Sequence, residues 1–335
     1  MGADLDVRMS RRRALALGAN VASGILAAGM LGSCADSTSP PGGARQSRTR
    51  TTSPAFSLSK AGELPVKQIE EILETEGTVK NGILQLEQER EDLHVVGPGG
   101  IPFLPAWEIK HEYFFQPLGR GRAFVNGDFC LLPSELNPVI DQLLAHDLVF
   151  MAEHQHFFDL HPMVFFIHFR GIGDPLQLAR AVRATVRVTG TPLPQTKPTN
   201  PTTPLPAKTL ARILGGEADV GDEGVVTVNV PRREQIVVAG VHLEPEMGVE
   251  HTIAFEPLGG GQHAAVAPDF ALIGAEVNPV ARLMRAQGWQ IHCLYNQETD
   301  EFPQLYFSHQ LKVGDAVQLA REIRRGLDQQ SLRTP

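Results

Sequence analysis

The chain is poor in cysteine and has no Cys-x-x-Cys pair. Its three cysteines are Cys34, Cys130 and Cys293, in a chain of 335 residues. Cys130 and Cys293 each align with an alanine in the internal repeat described below, so neither belongs to a shared framework. A zinc–thiolate site is therefore not expected. Two buried free thiols are the expected state of this pair, and a disulfide between them stays an open alternative.

A basic stripe is also lacking. The formal net charge is -8 and the sequence pI is about 5.8, with charges of both signs spread along the chain. This balance argues against nucleic-acid binding and against electrostatic adsorption to anionic lipid. Hydrophobic residues make up 42% of the chain, which is enough for two domain-sized units with a sizeable core.

Familiar catalytic motifs are missing as well. The sequence has no Gly-x-Ser-x-Gly elbow, no Gly-x-x-x-x-Gly-Lys-Ser/Thr loop and no His-Glu-x-x-His helix. The runs at 97–100 and 259–261 are glycine-rich, but they lack the strand-then-helix setting of a phosphate loop. They are interpreted as turns.

The N-terminal segment resembles an export signal. Arginines at 11–13 precede a weakly apolar run over 14–31, which ends in Leu31-Gly32-Ser33-Cys34 like a bacterial lipobox. We expect a lipoprotein signal peptide over 1–33 with twin-arginine character, lipidation of Cys34 and a disordered tether over 34–63. The lipid on Cys34 would attach the exported protein to a membrane of the bacterial cell envelope. A plain signal peptide, or a buried helix, is the alternative.

The folded part is an internal duplication. The first copy spans 64–188, a proline-rich linker follows over 189–204, and the second copy spans 205–329. Residue numbers in the second copy exceed those of the first by 141, as in His168 and His309. Each copy is expected to run helix, strands, helix, hairpin, helix, which gives an α+β fold. Each copy would form a mostly antiparallel sheet with helices on one face, and the two copies would pack as a pseudo-twofold pair.

Helix starts in the copies are marked by polar residues. Asn137-Pro138 and Asn278-Pro279 predict an N-cap followed by the first helical residue. Asp174 and Asp315 are predicted caps of the last helix of each copy.

The order of several motifs resembles the LppY/LpqO family of bacterial envelope proteins, whose domain has no assigned function. The motifs are Gly127-Asp128-Phe129, Glu135-x-Asn137-Pro138-Val139, His154-x-His156, Pro162 with the aromatic run to His168, and Gly171-x-Gly173-Asp174. The resemblance covers both copies and implies an exported, commonly lipidated protein, with no reaction attached. The sequence departs from the family at Gln155, and Tyr295-Asn296-Gln297 replaces the histidine pair in the second copy.

Histidines are the strongest candidates for chemistry. His154 and His156 would point to one face of an extended strand, so both rings could bind one divalent metal such as zinc. A third ligand would come from His111 or His161, with Glu112 or Glu153 as carboxylate alternatives. Two solvent-exposed histidines on a sheet face are an equally weighted alternative.

His168 and His111 are harder to place from the sequence. A hairpin turn near Asp159 would set His168 opposite Phe150, about 13 Å along the strand from His154, unless a bulge intervenes. His111 and His168 recur as His251 and His309. They could therefore form a hydrogen-bonded structural pair or line a cleft between the copies.

Two functions follow from these patterns. The first is a lipid-anchored envelope protein that binds a ligand or metal, with His154, His156, His111 and His168 as candidate ligands. The second is a metal-dependent hydrolase in which His154 and His156 hold zinc and Glu153 or Glu112 is the general base.

Overall fold

A computed structural model describes residues 63–197 and 201–330, which belong to one compact unit of the chain. The expected signal peptide, the lipidation site at Cys34 and nearly all of the tether lie outside the described residues. No helix in the described ranges is both long and apolar enough to cross a membrane.

The first copy begins and ends with a helix and contains eight strands. In chain order its helices and strands are α1 (Val66–Leu73), β1 (Gly77–Lys80), β2 (Ile83–Glu89), β3 (Val95–Val96), β4 (Pro102–Phe103), α2 (Pro105–Glu108), β5 (Lys110–Gly119), β6 (Arg122–Leu131), α3 (Leu136–Ala145), β7 (Val149–His154), β8 (Phe165–Gly173) and α4 (Pro175–Val186).

The second copy repeats this order with small differences. Its helices and strands are α5 (Ala207–Leu214), β9 (Glu217–Val220), β10 (Val226–Val230), β11 (Ile236–Val238), β12 (Val241–Leu243), β13 (His251–Pro257), β14 (His263–Ile273), α6 (Gly274–Ala286), β15 (Gln290–Ile291), β16 (Glu301–Phe302), β17 (Leu305–Asp315) and α7 (Ala316–Leu327).

Each copy builds one six-stranded antiparallel sheet. The strand orders are β1-β2-β5-β6-β8-β7 and β9-β10-β13-β14-β17-β15, so equivalent strands occupy equivalent places. In the first copy, Leu73, Val139 and Val182 from three helices share a core with Tyr113 and Phe129 on one face of the sheet. The second copy has a matching core. The predicted α+β class, with two tandem copies, is confirmed.

The opposite faces of the sheets pack through clusters that mix residues of both copies. In one cluster Trp107 and Phe157 contact the layer that includes Ala254 and Leu311. In a second cluster the first copy contributes residues such as Phe124 beside a larger set from the second. Full burial of a phenylalanine stabilises by about 1.5–3 kcal/mol, so these clusters hold the copies together as one body.

Polar contacts fix how the copies meet. Arg170 on β8 is buried and donates from Nη1 to the Thr299 backbone carbonyl of the other copy at 2.7 Å. The same guanidinium lies 3.3 Å from a Glu298 carboxylate oxygen. Asn126 on β6 donates to the Met247 carbonyl at 3.0 Å. A buried polar group is costly without a partner, so these bonds select one relative placement.

A buried arginine–glutamate pair occurs in each copy. Arg90 holds both carboxylate oxygens of Glu135, at 2.8 and 3.0 Å, and donates to the Cys130 carbonyl at 2.6 Å. In the second copy Arg232 is 2.8 Å from Glu276 Oε2 and 2.6 Å from the Ala271 carbonyl. Each pair therefore ties a helix start to a central strand.

Helices α3 and α6 do not begin where the sequence predicts, and these glutamates lie at their actual starts. Helix α3 begins at Leu136 and α6 at Gly274, so Asn137 and Asn278 lie inside helices and are not N-caps. The reason is that Glu135 accepts from the Leu132 amide at 2.8 Å, and the equivalent glutamate does the same in the second copy. The predicted caps of the last helices are confirmed, since Asp174 and Asp315 accept backbone amides of α4 and α7.

Replacing Glu135 with alanine is expected to lower the free energy of unfolding by roughly 3 kcal/mol, because it removes one of the two carboxylates that pair with the buried Arg90 charge and leaves only Asp92. Urea denaturation followed by circular dichroism measures the change. Glu71→Ala, which removes an exposed carboxylate from α1, is the matched control and should change stability by less than about 0.5 kcal/mol. Equal effects of the two substitutions would contradict the buried-pair argument.

Gly127→Ala is expected to destabilise the fold strongly or prevent folding. Gly127 has a φ of 155°, and a Cβ there would stand 1.9 Å from the Glu112 carbonyl oxygen on β5. Strand β5 must therefore move away from β6. Gly260→Ala is the control, since a Cβ at that position meets nothing within 4 Å. Thermal melts of the two variants should differ clearly, and similar melting temperatures would rule out the close approach.

Candidate metal centre

A cleft of about 390 Å³ lies between the two copies. Residues from both copies line it, and several of them can ionise or bind metal. These include Glu108, Asp128, His156 and His168 from the first copy and Asp269, Tyr295 and His309 from the second.

The pairing of β7 with β8 sets the position of His168. The register places Phe150 opposite Phe169 and Ala152 opposite His168, with a bulge between Phe150 and Ala152. The expectation that His168 pairs with Phe150, about 13 Å from His154, is therefore wrong. The bulge inserts an extra residue and shifts the register, so His168 is a diagonal neighbour of His154 on the same face. Their ring centroids are 5.0 Å apart.

His156 joins this pair from just beyond the end of β7. Its ring centroid is 4.9 Å from that of His154, and the side chain is buried. One ligand nitrogen from each of His154, His156 and His168 lies within 4.8 Å of the other two. Three imidazoles of the first copy thus converge at one point, and two of them, His156 and His168, line the cleft.

The nitrogens of this cluster are buried without partners. Both ring nitrogens of His154, both of His156 and Nε2 of His168 make no hydrogen bond to any described residue. An unsatisfied buried polar group costs roughly 1–3 kcal/mol, so these nitrogens are available to bind water, a ligand or a metal ion.

The second copy covers the cluster with aromatic rings. Tyr295 stacks on His154 at a centroid distance of 3.5 Å, and His309 stacks on His156 at 3.7 Å. Phe166 lies on the other side of His156 at 3.4 Å. Tyr295 aligns with His154 of the first copy, and in the folded chain its ring stacks on His154 itself.

The two residues after Tyr295 make hydrogen bonds to backbone carbonyls. Asn296 donates to the Leu305 carbonyl at 2.6 Å, and Gln297 donates to the Gly248 carbonyl at 2.7 Å. Asn296 therefore contacts the start of β17, and Gln297, which aligns with His156, contacts a backbone carbonyl before β13.

Carboxylates stand beside three of the imidazoles. Glu108 Oε2 is 3.5 Å from His156 Nδ1, Asp128 Oδ2 is 3.8 Å from His168 Nε2, and Asp269 Oδ1 is 3.7 Å from His309 Nδ1. The two aspartates are cross-strand partners of their histidines, in β6–β8 and in β14–β17. The duplication could have indicated the two Asp–His pairs, whereas nothing in the sequence near Glu108 marks it.

Burial keeps this centre uncharged around neutral pH. It lowers the pKa of His154 and His156 well below the ordinary value, and it lowers those of His168 and His309 to about 3. It raises the pKa of Asp269 to about 8. Neutral imidazole is the form that binds metal, so the centre is ready for a cation at neutral pH.

The pKa values of the Glu108 and Asp128 carboxyls are raised, as that of Asp269 is. Burial raises the pKa of Glu108 and of Asp128 well above the ordinary values, and neighbouring carboxylates add to the effect. A bound cation would reverse this effect and favour the ionised carboxylates.

His111 is part of the core. Its Nδ1 accepts from the Cys130 amide at 2.9 Å, and its Nε2 lies 2.7 Å from the Thr191 hydroxyl. His251 has the same role, because its Nδ1 accepts from the Ala271 amide at 3.1 Å. The two duplicated histidine pairs therefore differ: His111 and His251 are hydrogen-bonded in the two cores, and His168 and His309 line the cleft.

The remaining candidate ligands and general bases differ in how exposed they are to solvent. His161 and Glu153 are exposed, and neither occurs in a group of described residues close enough to share a metal ion. Glu112 lines the cleft, so of the two general bases considered for a hydrolase it is the one that faces the cavity. The hydrolase hypothesis itself stays a prediction.

Cys130 and Cys293 are free thiols, and no disulfide joins the described residues. Cys130 is buried, whereas Cys293 is partly exposed. Cys293 Sγ lies 3.2 Å from His309 Nδ1, at the edge of the imidazole cluster. Burial raises the pKa of the Cys293 thiol, so it stays protonated at neutral pH.

Comparison with known proteins gives a family and no activity. No curated protein and no solved structure matches the chain significantly. The family model described as Domain of Unknown Function (DUF1259) matches residues 67–188 and again residues 208–329. The chain therefore belongs to the DUF1259 family and carries two tandem copies of its domain.

Proposed function

We propose that this protein is an exported, lipid-anchored envelope protein of the LppY/LpqO type that binds a divalent metal, zinc first among them, in the cleft between its two copies. The ligands are His154, His156 and His168. The observation that carries the proposal is the convergence of three imidazoles with ligand nitrogens within 4.8 Å of one another, where both nitrogens of His154 and His156 and Nε2 of His168 are buried and lack hydrogen-bond partners among the described residues.

The geometry is close to that of a zinc site. Zinc binds imidazole at about 2.0–2.1 Å in tetrahedral arrangement, which separates ligand nitrogens by about 3.3 Å. The nitrogens of the cluster lie within 4.8 Å of one another, so a shift of up to about 1.5 Å would bring them to this spacing. Three protein ligands leave one position open toward the cleft, as in zinc sites that act on a further molecule.

The charge of the cleft favours a cation. Beyond the residues already named, acidic side chains that line it include Glu87, Glu89, Glu112, Asp219, Asp222, Glu246 and Glu250. Among the described lining residues, lysine or arginine occurs only at Lys110 and Lys197. A dication would favour the ionised form of the carboxyls that burial keeps neutral, whereas a phosphate ester or a carboxylate would be repelled by those that are ionised already.

Export and anchoring are supported by the order of features at the N-terminus. Arginines precede an apolar run that ends in a small-residue box before Cys34. A lipid there would place the cleft at a membrane surface, at the end of a tether rich in serine, threonine and proline.

The metal proposal is tested by elemental analysis of the purified chain after dialysis against zinc. The wild type is expected to retain zinc in stoichiometric amount. The double variant His154→Ala/His156→Ala is expected to lose it. A cooperative thermal melt of the metal-free variant checks that it still folds, since the lost ring packing on Tyr295, Phe166 and His309 opposes the gain from removing unsatisfied nitrogens.

The control for this experiment is His94→Ala/His263→Ala, which removes two exposed histidines and should keep the zinc. If the wild type binds no zinc, or if both double variants retain the same amount of zinc, the proposed metal site is wrong.

Stability of the metal-free protein is expected to depend on pH through His168. Its folded pKa of about 3 lies below the usual value near 6.5, so the unfolded chain binds the proton first as the pH falls. The stability that this group contributes is complete above pH 6.5 and decreases between 6.5 and about 3, by up to about 1.4 kcal/mol per pH unit.

His168→Gln should therefore lose less stability than the wild type between pH 6.5 and pH 4, measured by urea denaturation in the presence of chelator. The exposed His94→Gln variant should follow the wild type. Parallel curves for His168→Gln and wild type would show that this imidazole does not titrate as the burial argument requires.

A further inference from the structure

A second group of metal-binding side chains lies beside the first and includes a residue from the other copy. Ligand atoms of Glu108, His156 and His309 lie within 4.8 Å of one another. His156 belongs to both groups, since one nitrogen of its ring also lies close to those of His154 and His168.

The shared ring has two free nitrogens. Both Nδ1 and Nε2 of His156 are buried and make no hydrogen bond to a described residue. Nδ1 faces Glu108, whose Oε2 is 3.5 Å away. An imidazole can bind a metal at each nitrogen, and a structural histidine normally uses at least one of them in a hydrogen bond, as His111 does.

The duplication supplies one histidine beside an aspartate from each copy. Asp128 lies beside His168 and Asp269 beside His309, in the same cross-strand register. At 3.8 and 3.7 Å these carboxyls are too far away to hydrogen-bond the rings, but a bound cation would ionise them and so place a negative charge beside each histidine. Two such pairs face one cleft, one from each copy.

The second position differs in chemistry from the first. It combines two imidazoles with the Glu108 carboxylate, and Cys293 Sγ lies 3.2 Å from His309 Nδ1. Glu108 has 11% of its side chain exposed. The carboxylates of Glu108, Asp128 and Asp269 can offset the repulsion between two dications.

We propose that the cleft holds a pair of divalent metal ions, one on His154, His156 and His168 and the other on Glu108, His156 and His309, with the His156 ring between them. This inference rests on the proposed function and extends it to a site that only the paired copies complete. A ring that serves two ions gives up its remaining N–H proton to solvent, so loading both ions releases that proton. Zinc on both sides of one imidazole places the ions about 6 Å apart.

The test is the number of zinc ions retained per full-length chain after dialysis. The wild type is expected to hold two, and His309→Gln and His154→Gln one each. His156→Gln is expected to hold none, because it removes a ligand from both positions. His292→Gln is the matched control and should keep two. His292 lies at the same interface, where its Nδ1 accepts from the Phe158 amide at 3.3 Å, but it belongs to neither group.

The outcomes separate the two proposals. A wild type without zinc overturns both of them. One ion in the wild type and one in His309→Gln removes the second position and leaves the first. Two ions in His309→Gln place the second ion elsewhere, and one ion in His156→Gln shows that the ring is not shared; either result overturns the pair.

Folding is checked by thermal melting of each variant. If His309→Gln fails to fold, Glu108→Gln decides the question, because it removes the charged ligand of the second position with almost no change in size. One ion in that variant supports the pair, and two ions overturn it.

Discussion

The face-to-face packing of the two copies is the contact on which the rest of the structure depends. Each sheet carries helices on one side only, and its other side, which is apolar in part and carries carboxyls and histidines elsewhere, is covered by the other copy. The apolar part packs in clusters such as the one around Trp107, Phe157 and Ala254. The same contact removes His156, His168 and His309 from water. The chemistry of the cleft is therefore a consequence of how the domains associate.

Desolvation then gives the cleft a particular electrostatic state. It lowers the pKa of the imidazoles and raises the pKa of the carboxyls beside them, so a set of acids and bases that would pair as ions in water stands neutral. These neutral groups leave hydrogen-bonding atoms without partners among the described residues, as the ring nitrogens of His154 and His156 show. A divalent cation would ionise the carboxyls and occupy the nitrogens, which is why a metal suits this cleft better than an anion or an apolar molecule.

Duplication has left the copies alike in scaffold and different at the cleft. Both keep a buried arginine–glutamate pair, a histidine in the core and an Asp–His pair on adjacent strands. The first copy alone has His154 and His156, and the second places Tyr295 on His154. An asymmetric centre between two similar halves follows from this, because each half supplies what the other lacks.

The sequence by itself determined the duplication, the α+β class and the concentration of histidines in the first copy, because these depend on local periodicity and on residues that recur at a fixed interval. It also showed His168 and His309 as equivalent. Only the tertiary structure decided that His168 reaches His154, since that depends on one bulge near Met151 that no local pattern marks. It likewise separated His111 from the cluster and brought in Glu108 and Tyr295, because which side chains meet across two packed copies depends on distances that the order of residues does not encode.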